Sequence, residues 1–251
     1  MMKKILLILL VTVFFINSAE AQRNKQTIKW FSLAAKAGIG NSVLLNMDIF
    51  DDGNISPNYV TISQSYGGRF TFTFGDNIGF GTDVLFSSFG QEYTIDNAGD
   101  IYDKDIKIKA VDVIPFFRYT GNTGGYFELG GKFTTINSVT ETNSVDATFL
   151  PRDNIMQYYE PKFTSLVFGF GLSVYNNERI DVNMGARFAY SFSDLTPNKA
   201  YNATADGYYI PNYVMTENTN PISAQVILEV NYYFAFWGDA SCGRGRLMLF
   251  K

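Results

Sequence analysis

The sequence predicts an all-β fold, an eight-stranded antiparallel up-and-down transmembrane β-barrel with short periplasmic turns and long extracellular loops. Three observations carry this. Eight segments alternate apolar and polar residues with period two, which puts each set on one face of a strand. The joints alternate as well: Gly75-Asp76-Asn77, residues 121–124 and Asn176-Asn177-Glu178 are short, whereas 41–58, 96–104, 139–160 and 195–220 are long. Outer-membrane-type barrels place short turns at one end and long loops at the other. Beyond the N-terminal leader, no segment has about 18 consecutive apolar residues, the length a spanning helix needs.

The leader is the first element. Lys3 and Lys4 precede an apolar run over residues 5–16, and Ala19-Glu20-Ala21 has the small-x-small form of a cleavage site. This is the pattern of a secretory signal peptide, too short to be an anchor. Residues 1–21 are the expected signal peptide, 22–27 an N-terminal extension, 28–236 the barrel, and 237–251 a tail on the periplasmic side. Gln22 stands where lipoprotein processing would need a cysteine.

The expected strands are 28–40, 59–74, 78–95, 105–119, 125–138, 161–175, 180–194 and 221–236. Each exceeds the roughly 9–11 residues that cross a bilayer at a tilt, so their ends should project beyond it. In the second, Phe70, Phe72 and Phe74 oppose Arg69, Thr71 and Thr73. In the fifth, Phe127, Leu129 and Phe133 oppose Glu128, Gly130 and Lys132. The sixth sets Leu166, Phe168, Phe170 and Leu172 against Ser165, Gly169, Gly171 and Ser173. The seventh sets Val182, Met184, Ala186 and Phe188 against Asp181, Asn183, Gly185 and Arg187. The eighth sets Val226, Leu228, Val230 and Tyr232 against Gln225, Glu229, Asn231 and Tyr233. A soluble fold would need a second layer over the apolar faces, and no helix-period segment supplies one. In a closed barrel the apolar set faces lipid and closure removes the sheet edges.

The polar set then faces the lumen. It carries Lys36, Arg69, Arg118, Lys132 and Arg187, and also Asp83, Asp112, Glu128, Asp181 and Glu229. An eight-stranded barrel is just wide enough for side chains to fill it, and buried charges come paired. The expectation is a salt-bridged plug, with proton or ion conduction as the alternative. Gly38, Gly40, Gly79, Gly81, Gly130, Gly169, Gly171 and Gly185 share this face and should make room for the long charged chains. Trp30, Tyr119, Tyr126, Tyr175, Tyr190 and Trp237 are the expected aromatic girdles, since such rings suit an interface.

The chain has no histidine. Ser-His and Asp-His machinery is therefore excluded, and zinc would have to use carboxylates and the single Cys242. That lone cysteine cannot form an internal disulfide. Asp48, Asp51, Asp52 and Asn54, and likewise Asp96, Asp100, Asp103 and Asp105, are acidic clusters without EF-hand spacing, so they are expected to be solvated loops and no metal or cofactor is expected. The whole chain carries −4. The leader contributes Lys3, Lys4 and Glu20, leaving −5 on the mature chain, which argues against nucleic acid as a partner. Tyr201, Tyr208, Tyr209 and Tyr213 in the last loop offer a binding surface or a loop packed on itself. Arg244, Arg246 and Lys251 make the tail basic.

The fourth strand reads Val111-Asp112-Val113-Ile114-Pro115-Phe116-Phe117-Arg118-Tyr119, the seventh ends Ala186-Arg187-Phe188-Ala189-Tyr190-Ser191-Phe192-Ser193-Asp194, and the first contains Lys36-Ala37-Gly38-Ile39-Gly40. These stretches resemble the PorT-type outer-membrane β-barrel family. The resemblance implies an eight-stranded barrel in the outer membrane of a Gram-negative bacterium, some relatives of which support protein secretion and gliding motility. The expected role is a non-enzymatic structural, interaction or secretion-accessory component, monomeric in outer-membrane lipid, with a periplasmic or secretion-machinery protein as its partner. The alternatives are a narrow channel and a lipid-modifying enzyme.

Overall fold

The computed structural model describes residues 28–51, 53–74, 77–97, 99–145, 148–153, 156, 159–177, 179–196, 217–239 and 245–249. The strands are β1 (Ile28–Leu45), β2 (Ile55–Asn58), β3 (Thr61–Phe74), β4 (Ile78–Asn97), β5 (Asp100–Thr120), β6 (Gly125–Val145), β7 (Thr148–Asp153), β8 (Lys162–Asn176), β9 (Ile180–Ser191), β10 (Asn220–Asp239) and β11 (Gly245–Leu249). One short helical turn, α1 (Met47–Asp51), follows β1. Asn46 starts it, its side-chain oxygen accepting from the Asp48 N–H at 3.0 Å.

Eight strands form a ring in the order β1-β3-β4-β5-β6-β8-β9-β10, every pairing antiparallel, and β10 returns to β1. The closing seam runs from Phe31↔Ala235 to Leu45↔Asn220. The other three strands lengthen the wall: β2 pairs with β4, β7 with β6 and β11 with β10. The sheet thus has no free edge along the ring.

The long joints differ from expectation. Residues 96–104 are not a loop, because β4 and β5 stay paired up to Asn97↔Asp100. Gly99 makes the tight reversal with φ of 101°, a conformation that costs glycine little. Likewise 139–160 is largely a ribbon, since β6 runs on to Val145 and folds back as β7. Within 41–58, β1 extends to Leu45 and β2 joins β4. At the other end β10 continues past Phe236 to Asp239 and pairs with β11 inside the expected tail.

Where β4 and β5 leave the lumen, their alternation continues with its sense reversed. Along β5, Tyr119, Phe117, Pro115, Val113 and Val111 point outward while Arg118 and Asp112 point in. Further along, Lys109, Lys107 and Asp105 point outward while Ala110, Ile108 and Ile106 are buried inside. β4 does the same: Phe80, Val84 and Phe86 give way outside to Ser88, Glu92 and Thr94, and Asp83 gives way inside to Phe89, Tyr93 and Ile95. One stretch of wall is built for lipid, and the next for water around an apolar core. That core gathers Leu44, Ile49, Phe89, Ile95, Ile108, Ile136, Val139 and Leu195 above the lumen charges. The reversed residues of β4 and β5 fall within the expected strands 78–95 and 105–119; what alternation does not show is that the two strands run on past them to Asn97 and Asp100.

Tyr119, Tyr175 and Tyr190 stand on the outside of the wall, as a girdle requires. Tyr126 does not: it points into the lumen and is buried. The side chains of Trp30 and Trp237 lie outside the described residues, as do the leader, the tyrosine-rich stretch at 201–213 and Cys242.

Candidate functional site

The lumen charges are assembled by strand register. Lys36 lies opposite Glu229 across the β1–β10 seam, Arg69 opposite Asp83 between β3 and β4, and Arg118 opposite Glu128 between β5 and β6. Three cation–anion pairs are thus set directly opposite each other, the sheet arrangement that favours unlike charge. Arg187 enters from β9, opposite Gly169 and Gln225.

The seven side chains converge. Arg69 contacts all three carboxylates, at 2.6 Å to Asp83, 2.7 Å to Glu128 and 2.6 Å to Glu229. Arg118 reaches Glu128 at 2.5 Å and Glu229 at 2.8 Å. Arg187 bridges Asp83 at 2.7 Å and Glu128 at 2.6 Å. Lys36 lies 3.0 Å from Asp83 and 3.3 Å from Glu229. All seven are buried. Charge-assisted contacts of this kind are the stronger class of hydrogen bond. Four cations meet three anions, and two rings cover the guanidinium faces. Phe116 lies 3.9 Å from the Arg69 carbon and Tyr126 lies 4.2 Å from that of Arg118.

The remaining three predicted residues stand apart from the cluster. Lys132 pairs with Asp112 at 2.9 Å, and the Thr134 hydroxyl donates to Asp112 at 2.7 Å. Asp181 lies nearer the short-turn end and accepts a hydrogen bond from the Ser173 hydroxyl. The lumen glycines also act differently from the expectation. A Cβ on Gly81 would lie 2.6 Å from the Phe116 ring and one on Gly171 2.6 Å from the Tyr126 hydroxyl. Gly130 also borders Phe116, and Gly185 borders Tyr126. Of the eight, Gly169 alone has a cluster carboxylate, Glu128, as its nearest neighbour, at 3.3 Å. Four of the eight thus border the two rings, each also lying against a neighbouring strand's carbonyl, and the rings cover the arginines. Phe116 and Tyr126 were missed as lumen residues. The signal was present: Phe116 shares the phase of Asp112 and Arg118, and Tyr126 that of Glu128.

The cluster divides the lumen. Toward the short turns lies a polar cavity of about 320 Å³, lined among others by Thr71, Arg118, Asp181, Asn183, Asn231 and Tyr233. On the other side lies a space of about 30 Å³ among Ser42, Ser63, Ser65, Ser87 and Ser165, capped by Phe89 and Phe163. That is room for little more than a water. The apolar core closes the barrel above it. Among the described residues no group of three or more acidic or cysteine side chains is placed to hold a metal.

The fold has a counterpart among known proteins. A model of the outer membrane protein beta-barrel domain matches residues 20–197. The chain belongs to this family. It is an outer-membrane β-barrel protein. Solved structures similar to it include the Neisserial surface protein A, at 11% identity and a TM-score of 0.37, covering 80% of this chain and 96% of that one. The attachment invasion locus protein Ail of Yersinia pestis has 14% identity and a TM-score of 0.36, over 82% of this chain and 99% of that one. OprG of Pseudomonas aeruginosa has 14% identity and a TM-score of 0.42, over 83% and 97%. No curated protein matches the chain.

Proposed function

We propose that the chain is a non-enzymatic barrel with an occluded lumen, serving the outer membrane as a structural, interaction or secretion-accessory component. The observation that carries this is the seven-residue ion cluster, which joins β1, β3, β4, β5, β6, β9 and β10 across the interior. Each carboxylate in it is held by cations. None is left as a base beside a nucleophile, which acid–base catalysis needs. Displacing such charges to open a path means leaving some buried and unpaired, a large penalty. The signal-peptide pattern of residues 1–21 supports export, and the PorT-like stretches support a link to secretion. The short turns then face the periplasm and the paired ribbons face outward. The protein that meets them is a secretion or envelope component.

Two experiments test this reading. The refolded chain in a planar lipid bilayer should show no conductance above that of the bare membrane; discrete conductance steps would transfer the proposal to the narrow-channel alternative. A deletion strain should strand secreted cargo in the periplasm if the protein is a secretion accessory. Unchanged extracellular and periplasmic proteomes would remove that role and leave the outward ribbons as the functional surface. Altered lipid A mass spectra in the deletion would instead favour an enzyme.

A further inference from the structure

The outer wall of the barrel carries a one-sided cluster of lysines at the upper rim of its apolar belt. Lys107 and Lys109 project outward from β5, and Lys162 projects outward from β8, with β6 between them. The ladders fix their height. Val111 pairs with Thr135, and Thr135 pairs with Lys162, so Lys162 is level with the last outward valine of β5. Lys109 lies two residues further out and pairs with Ser138. One rung below, Val113 and Phe133 are exposed on the outside with Leu166 beneath them. Neighbouring strands are about 4.8 Å apart, so β5 and β8 stand roughly 10 Å apart across β6. Flexible four-carbon stems close such a gap easily.

At the height of Lys109 the rest of the rim is uncharged. Outward positions at this height are Asn41 on β1, Gln64 on β3, Ser88 on β4, Tyr190 and Phe192 on β9 and Ala224 on β10. Lys109 and Lys162 have no partner among the described residues. The nearest acids are Asp105 and Glu92, which face each other two positions beyond Lys107, Glu160, two beyond Lys162, and Asp194, which the β8–β9 register brings opposite Lys162 and whose carboxylate accepts from the Thr196 and Thr219 N–H groups at 3.0 Å. Around the lysines stand the small polar side chains Thr135, Asn137 and Ser138. Such a patch, with apolar wall directly below it, fits a ligand that has an anionic head and acyl chains.

We propose that Lys107, Lys109 and Lys162 form a binding site for the phosphorylated sugar headgroup of an outer-leaflet glycolipid, with its acyl chains lying along Val113, Phe133 and Leu166. The inference rests on the reading above in one respect, that the paired ribbons face outward. Flexible ammonium groups bind phosphate as point charges, each contributing through proximity to the anionic surface.

The test uses the full mature chain refolded in detergent micelles, with native mass spectrometry as the readout. The probes are bis-phosphorylated lipid A, the same lipid with both phosphates removed, and inorganic phosphate as competitor. The wild-type chain should retain the phosphorylated lipid at a concentration at least tenfold lower than the dephosphorylated one. Each of Lys107→Gln, Lys109→Gln and Lys162→Gln should weaken retention by roughly fivefold, and the triple variant should lose the preference. Lys104→Gln is the control, because Lys104 pairs with the inward Glu141 at 3.4 Å; its preference should match wild type. Equal retention of the two lipids, an unchanged preference in the triple variant, or complete displacement by millimolar inorganic phosphate would each overturn the site. The mobility shift of unboiled protein on gels reports barrel closure separately. Loss of preference with that shift intact therefore concerns these lysines alone. Loss of the shift in the wild-type chain concerns the barrel reading itself.

Discussion

Arg69 is the residue on which the lumen turns. It touches Asp83, Glu128 and Glu229 at once and lies under the Phe116 ring. Replacing it with methionine keeps most of the volume and removes the charge, so three buried carboxylates lose a shared cation. Removing one partner of a buried ion network costs about 3–5 kcal/mol. The urea midpoint of Arg69→Met, refolded in detergent, should fall accordingly. Lys132→Met should fall less, since Lys132 is the more exposed partner of a single carboxylate. Equal losses at both positions would mean that the cluster adds nothing beyond its separate pairs. The charges themselves were legible in the sequence because period two fixes the face of every strand residue once one is placed. Which charges meet was not legible. That depends on register between strands far apart in the chain, such as Lys36 with Glu229, and on Phe116 and Tyr126, the latter of a type that suggests an interface rather than an interior.

At the scale of the element, β5 holds the feature that departs most from a regular strand. Pro115 lies in mid-strand on the lipid side, where the ladder to β6 passes from Val113↔Phe133 to Phe116↔Gly130 with no pairing at Ile114 and Pro115. The Pro115 carbonyl faces Gly130, so its nitrogen, which carries no hydrogen, also turns toward β6. In lipid an unpaired backbone group has no water to satisfy it. The surrounding wall, with Phe72, Phe80, Phe117 and Leu129, leaves an open groove there. Pro115→Val supplies the missing donor and a residue suited to a strand. It should raise stability by about 0.5–1.5 kcal/mol, the net worth of one hydrogen bond, read as a higher urea midpoint; a lower midpoint would show that the proline relieves strain in the wall. The eight ring strands were readable from alternation. The stretch at 96–104 does not read as strand because Asp96, Asp100 and Asp103 interrupt the apolar set, although outward polar residues are what a strand outside the membrane should show.

At the scale of the whole molecule, the barrel is a stack of zones along one axis. A polar cavity opens among the short turns, the ion cluster fills the middle, and an apolar core caps the far end. The wall reverses its polarity where the cluster gives way to the core. This reversal divides a part solvated by lipid from a part solvated by water, and it makes the effect of a substitution depend on height as well as on face. Phe168 is outward in the lipid zone and 40% exposed. Thr94 is outward on the ribbon formed by β4 and β5. Ile108 is inward at the ribbon's base and 0% exposed. Refolded into phospholipid vesicles, Phe168→Arg should lose roughly 2–4 kcal/mol, the cost of a cation at mid-bilayer. Thr94→Arg should change stability by less than about 0.5 kcal/mol, as surface substitutions do. Ile108→Asp should be damaging although it faces inward, because the zone it enters is apolar and offers a carboxylate nothing to pair with. Urea titration of the three variants gives the order directly. Equal damage from Phe168→Arg and Thr94→Arg would place the ribbon inside the bilayer. A harmless Ile108→Asp would mean that water reaches the core, and with it that the cap does not close the barrel.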